Sequence, residues 1–183
     1  MPRISRKSPW LFILGPIMDD GKLLLKKAGA LLARRAYSRA ELHDKLAKFA
    51  GGLPVEPVLD RLEQLNLLND DDLAYTSALY RISQEGWAPA KARNYLVRRQ
   101  VARRAIDRAL EKIRNELGND PGLSGCIQKY FRSKGIPANP KDVRRLIVHL
   151  LGRGYDEDGI LNKLKQMLPQ ALWRQFETGE FID

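Results

Sequence analysis

The stretch "RAYSRAELHDKL", residues 35–46, decides the fold. Ser38 stands three positions before Glu41, the spacing of a capping box. A serine hydroxyl there takes an orphan amide of the first helical turn, and the glutamate reaches back to the serine's own amide. Leu42 and Leu46 then fall on one helical face. About fifty residues on, "GWAPAKARNYL" (86–96) makes a similar entry, with Pro89 suited to a first turn. A third entry, "IPANPKDVRRLI" (136–147), sets Asn139 as a cap before Pro140. Leu42, Ala92 and Val143 are 50 and 51 residues apart, as are Leu46, Leu96 and Ile147. The three windows share few residues, so the repeat lies in periodicity and caps.

Working outward, every other segment carries helical spacing. Leu24, Leu25, Ala28, Leu31 and Leu32 make a first stripe, and Leu42, Leu46 and Phe49 a second, stopped by "GGLP" at 51–54. Val55, Val58, Leu59, Leu62 and Leu65 make a third. "NDDD" at 69–72 caps a helix expected to bury Leu73, Tyr75 or Thr76, Leu79 and Ile82, ending at Gly86. Ala92, Tyr95 and Leu96 follow, then Ile106, Ala109, Leu110 and Ile113. In "GNDPG" at 118–122, Asp120 before Pro121 predicts another cap, leading to Leu123, Ile127, Tyr130 and Phe131. Val143, Leu146, Ile147, Leu150 and Leu151 form the next stripe, and Ile160, Leu161, Leu164 and Leu168 the one after "GYDED". Pro169 closes it, with Trp173 and Phe176 on a short terminal helix. No stretch shows the β-branched alternation of a strand. The reading is all-α: an elongated array of three tandem three-helix repeats over 22–69, 70–117 and 118–168, with an N-terminal arm (1–21) and a C-terminal short helix and tail (169–183).

Composition narrows the class. The chain has 183 residues, 44% hydrophobic and 30% charged, an ordered and soluble balance. A single cysteine leaves no internal disulfide and fits a reducing compartment. "WLFILGPIM" at 10–18 is too short to span a bilayer and lacks a small-residue cleavage site, so an apolar arm packed on the body is expected, with no membrane partner. His43 and His149 lie in different repeats, and neither sits in a metal-ligand spacing. Cys126 suits a small buried hydrophobe, and Asp70–Asp72 suits a helix cap better than a magnesium site. No glycine-rich phosphate loop occurs. The expectation is a protein that is not an enzyme and uses no cofactor or metal.

What remains is positive charge: 32 Lys+Arg against 22 Asp+Glu, a net +10. Such an excess attracts polyanions. "RRQVARR" at 98–104 has four arginines in seven residues, and residues 88–116 hold nine Lys/Arg against three Asp/Glu. Helical spacing pairs Arg103 with Asp107 and Lys112 with Glu116, which takes up part of that surplus. The candidate partner- and nucleic-acid-binding residues are Arg34, Arg35, Arg39, Lys91, Arg98, Arg99, Arg104 and Arg108. Three-helix units also suggest operator-reading helix-turn-helix proteins. However, the third helix of the first repeat, "VEPVLDRLEQLN" (55–66), is acidic and disfavours that reading.

Residues 30–74, "ALLARRAYSRAELHDKLAKFAGGLPVEPVLDRLEQLNLLNDDDLA", closely resemble the signature of the RecX regulatory proteins. The core Ser-x-x-Glu-Leu-x-x-Lys-Leu falls on Ser38 to Leu46, with the Val58–Leu62 helix after it. Asn66 stands where the family has glycine, Asn69 where it has aspartate, and Leu73 where it has phenylalanine. The resemblance covers roughly residues 22–168. It implies a cytoplasmic bacterial protein that binds the RecA recombinase, lies in the groove of the RecA–DNA filament and restrains ATP hydrolysis, strand exchange and co-protease activity, in DNA repair and the SOS response. A monomer that binds DNA weakly through its basic surface is expected. The alternative is a general helical DNA-binding or scaffold protein acting without RecA.

Overall fold

The structure, a computed structural model, describes residues 19–118 and 122–179. Ten α-helices account for the order among them: α1 (Asp19–Leu32), α2 (Arg39–Ala47), α3 (Glu56–Gln64), α4 (Asp70–Ser83), α5 (Pro89–Arg98), α6 (Arg103–Leu117), α7 (Leu123–Lys134), α8 (Pro140–Gly152), α9 (Glu157–Met167) and α10 (Gln170–Thr178). No strand occurs among the described residues. The apolar N-terminal arm and the Asp120–Pro121 cap lie outside them.

Local chemistry sets the helix starts. Ser38 Oγ accepts from the Glu41 amide at 3.1 Å while Glu41 Oε2 accepts from the Ser38 amide at 3.3 Å, closing the capping box. Asn69 Oδ1 accepts from the Asp72 amide at 3.1 Å, Asn139 Oδ1 from the Asp142 amide at 3.0 Å, and Asp156 Oδ2 from the Gly159 amide at 2.7 Å. Pro89 and Pro140 open α5 and α8, where a missing N–H costs no helical bond.

The chain divides into two compact units. The first ends at Leu73 but also takes in the α5–α6 turn, Arg99–Ala102; the second comprises the rest from Ala74. In the first, α1, α2 and α3 bury Leu24, Leu25, Ala28, Leu42, Leu46, Val58, Leu59 and Leu62 in one core. In the second, α7 to α10 enclose Ile127, Val143, Leu146, Leu150, Ile160, Leu164 and Trp173. There α5 runs close to the α8–α9 corner: Gly154 sits at φ +92°, and a Cβ on it would lie 2.8 Å from Lys91 Cβ. A left-handed backbone with that little space suits only glycine.

Several details differ from the expectation. Phe49 lies beyond the end of α2 and is 56% exposed, its ring 4.2 Å from Lys27 Nζ. Leu65 is half-buried and Leu151 is exposed. On α4 the small residues Ala74 and Ala78 are buried beside Leu73 and Ile82, while Tyr75 is half-buried and Thr76 exposed. Tyr75 is turned so that its hydroxyl donates to Glu116 at 2.6 Å, with Lys112 4.1 Å from its ring, so Glu116 takes a tyrosine where Lys112 was expected. Asp107 pairs with Arg93 at 2.5 Å rather than with Arg103, because α5 and α6 pack side by side.

Candidate functional site

The helices carry the eight candidate cations into unlike surroundings. Arg35 leaves the end of α1 and lays its guanidinium 3.7 Å from the Tyr37 ring centroid, with Nη1 donating to Glu41 at 3.1 Å. Arg39 spreads over two carboxylates of α3. Its Nη2 is 2.7 Å from Asp60, and its Nη1 is 2.7 Å from Glu63 in an ion pair that falls short of a hydrogen bond. Burial would lower the Arg39 value; the neighbouring Asp60 and Glu63 carboxylates outweigh it and raise it.

Arg99 is held most firmly. Its Nη2 donates to Glu41 Oε2 at 2.8 Å and to the Ala36 carbonyl at 2.6 Å, its Nε donates to Glu41 Oε1 at 3.2 Å, and only 13% of the side chain is accessible. Its own carbonyl accepts from Ser38 Oγ at 2.7 Å. The capping box therefore also receives the α5–α6 turn. Next to it Gln100, at φ +53°, donates to Asp44 at 3.1 Å, and Asp70 accepts both the Arg39 amide at 2.8 Å and the Ala102 amide at 3.4 Å. Burial would raise the Glu41 carboxyl; the hydrogen bonds from Arg99 and Arg35 outweigh it and bring it below its ordinary value.

Beside this node a cleft of about 420 Å³ is lined by Arg39, His43, Asp44, Glu56, Asp70 and Gln100. His43 lies between Glu56, at 3.1 Å, and Asp44, at 3.5 Å, so these side chains answer one another. Among the described residues no group of three or more His, Cys, Asp or Glu side chains is arranged to hold a metal ion. No described helix is long and apolar enough to cross a membrane.

In the second unit Lys91 reaches the Gly152 carbonyl at 2.5 Å and lies 4.8 Å from the Trp87 ring, which makes it a clasp on the α8–α9 corner. Arg98 is exposed at the end of α5, its Nε bonded to the Asn94 carbonyl at 3.3 Å. Arg104 and Arg108 are exposed on α6 opposite its buried stripe, Ile106, Ala109, Leu110 and Ile113. Arg34 is exposed after α1. The eight thus do not form one surface. Arg35, Arg39 and Arg99 meet acids within the first unit, and Lys91 meets a carbonyl.

Comparison with known proteins places this geometry. The "Regulatory protein RecX" of Pseudomonas putida KT2440 is 31% identical over 148 residues, covering 80% of this chain and 92% of that protein. The protein of that name from Chlorobaculum tepidum is 34% identical over 159 residues, covering 82% and 93%, and that from Thermus thermophilus is 38% identical over 135, covering 74% and 85%. This chain belongs to the RecX family. No family model matches it. The crystal structure of RecX from Lactobacillus salivarius has the same fold, with a TM-score of 0.63 and 18% identity over 82% of this chain and 99% of that one.

The departures from the RecX signature keep its physics. Asn66, at a glycine position, has φ +54°, and asparagine is the non-glycine residue that best tolerates a left-handed backbone. Asn69, at an aspartate position, supplies the same side-chain oxygen to the start of α4. Leu73, at a phenylalanine position, is buried. The signature residues Ser38 and Glu41 do more than start a helix, because they also anchor Arg99. Sequence spacing revealed the cap but not that anchor, whose partner lies 58 residues away.

Proposed function

We propose that this protein binds the RecA–DNA filament and restrains RecA, in strand exchange, ATP hydrolysis and co-protease activity, acting as a cytoplasmic monomer without catalysis of its own. The observation that carries the reading is membership of a family of regulatory proteins across four-fifths of the chain. The exposed arginines Arg98, Arg104 and Arg108 support it. They offer positive charge to a groove lined by protein and nucleic acid, and such contacts release counterions from phosphate.

The test is the double change Arg98→Ala with Arg104→Ala, assayed for binding to RecA assembled on single-stranded DNA over a salt series, with RecA ATP hydrolysis followed in parallel. The expected result is weaker binding, a salt slope lower by roughly one unit per lost contact, and less inhibition. Wild-type binding to the filament no tighter than to the same DNA without RecA would overturn the reading. It would favour a helical DNA-binding or scaffold protein acting alone.

A further inference from the structure

We propose that the corner where α7 meets α8 is a phosphate-tracking surface for duplex DNA that works without RecA and apart from the arginines of α5 and α6. Residues 122–155 hold seven Lys/Arg against one acidic residue, Asp142, a steeper imbalance than that of residues 88–116. Two of the seven serve the fold. Lys129 Nζ donates to the carbonyls of Ser83 and Gln84 at 2.9 and 2.8 Å, and Arg153 donates to the Glu85 carbonyl. Lys129 keeps its side chain exposed while it does so, and the other five, Arg132, Lys134, Lys141, Arg144 and Arg145, are exposed as well.

Their placement follows from the backbone. Arg132 and Lys134 lie in the last turn of α7, where the helix dipole favours cations. Lys141, Arg144 and Arg145 lie in the first two turns of α8 on the side away from its buried residues Val143, Leu146 and Ile147. Residues 135–139 join the two helix ends, and α7 packs on α8, so the two groups of cations share one corner. Asp142 withdraws little of this charge. It answers Arg145 at 2.9 Å, yet the Arg145 side chain stays 73% accessible.

Chemistry selects the partner. The centre of a protein interface is apolar and depleted of charge, whereas here five exposed cations outnumber the exposed large apolar side chains, Ile136, Val148 and Leu151. A single strand gains much of its affinity from stacking on aromatic rings. No aromatic residue of 122–155 is among the exposed ones; Tyr130 is half-buried and tilted against His149. Duplex DNA needs no stacking partner and presents phosphate at high density, so charge alone suffices to hold it.

The full chain and a short labelled duplex of mixed sequence, without RecA, make the experiment, read by fluorescence anisotropy over a salt series. The variant Arg132→Gln, Lys134→Gln, Lys141→Gln should lower the slope of log K against log salt by about 0.9 per lost contact and weaken binding at moderate salt by roughly tenfold or more. The charge-keeping variant Arg132→Lys, Lys134→Arg, Lys141→Arg should retain both. Should the triple glutamine variant not fold, each single change should still lower the slope by about 0.9. Unchanged slope and affinity would overturn the proposal. So would a loss confined to a single-stranded probe, or displacement of the duplex by polyglutamate as effectively as by unlabelled DNA. RecA filament binding, measured separately, reports on the other reading, so failure of one is distinguishable from failure of the other.

Discussion

Arg99 and Arg104 stand five positions apart in one basic run, yet they belong to different chemistry. Arg99 lies in the first compact unit with its guanidinium on Glu41 and the Ala36 carbonyl; Arg104 lies in the second, exposed in the first turn of α6. By charge counting the two are equal. The difference comes from the carboxylates and carbonyls that the fold brings to each, which for Arg99 arrive from α2 and the turn before it. A cation held this way fixes a turn, whereas a cation left at the surface can meet a partner.

The sharpest way to break that contrast is Glu41→Ala. Removing one member of a half-buried, hydrogen-bonded pair leaves the Arg99 charge without its carboxylate. The loss should be about 2.5 kcal/mol by urea unfolding, in the range of a hydrogen bond to a charged group. A change as small as that expected on the surface would put Arg99 back with Arg104. The same carboxylate sets an acid limb. Its folded value is depressed, so its contribution is fully present above the unfolded value of about 4.3 and is lost as pH falls through the folded value. Glu41→Gln should flatten the fall in the unfolding midpoint as pH drops below about 4.3, relative to the wild type.

How much of this was open to reading depends on distance along the chain. Helix starts are local: Ser38 and Glu41, Asn139 and Pro140, and Asn69 and Asp72 lie within one turn of each other, and the apolar stripes repeat within two turns. The all-helical fold was therefore legible. The engagement of Arg99 was not, since Glu41 and Ser38 lie 58 and 61 residues away and no spacing rule joins them. The same holds for Asp107, which local spacing gave to Arg103 and packing gave to Arg93. The α7–α8 corner was legible in its charge, seven cations to one acid, but which of them are tied to backbone carbonyls depends on where Ser83, Gln84 and Glu85 come to lie.

Ser38→Ala sharpens the comparison at a smaller scale. Ser38 is fully buried; its hydroxyl accepts from Glu41 N and donates to the Arg99 carbonyl. Alanine removes the cap and leaves that carbonyl without its donor, so about 2 kcal/mol should be lost, above a cap in a simple peptide. Ser38→Thr keeps the hydroxyl and should recover part of the loss in thermal unfolding. A loss from Ser38→Ala of only a few tenths of a kcal/mol would mean that the serine caps α2 without anchoring the turn.

The smallest effect is expected at Arg104, and its sign carries the argument. Arg103 and Arg104 occupy the first turn of α6, which holds no acidic residue. The dipole places partial positive charge at that end, so a cation there opposes the helix. Arg104→Ala removes the repulsion and inserts the best helix former, so stability should be unchanged or higher by about 0.3 kcal/mol. Glu41→Ala and Arg104→Ala should thus move the urea midpoint in opposite directions or differ by several-fold in size. Partner binding should reverse the ranking, with Arg104→Ala weakening filament binding in a salt-dependent way while the fold stays intact. A loss above about 1 kcal/mol at Arg104 would show that the fold uses this arginine as it uses Arg99, since exposed changes stay within about 0.5 kcal/mol. The surface offered to a partner would then contract to Arg34, Arg98 and Arg108.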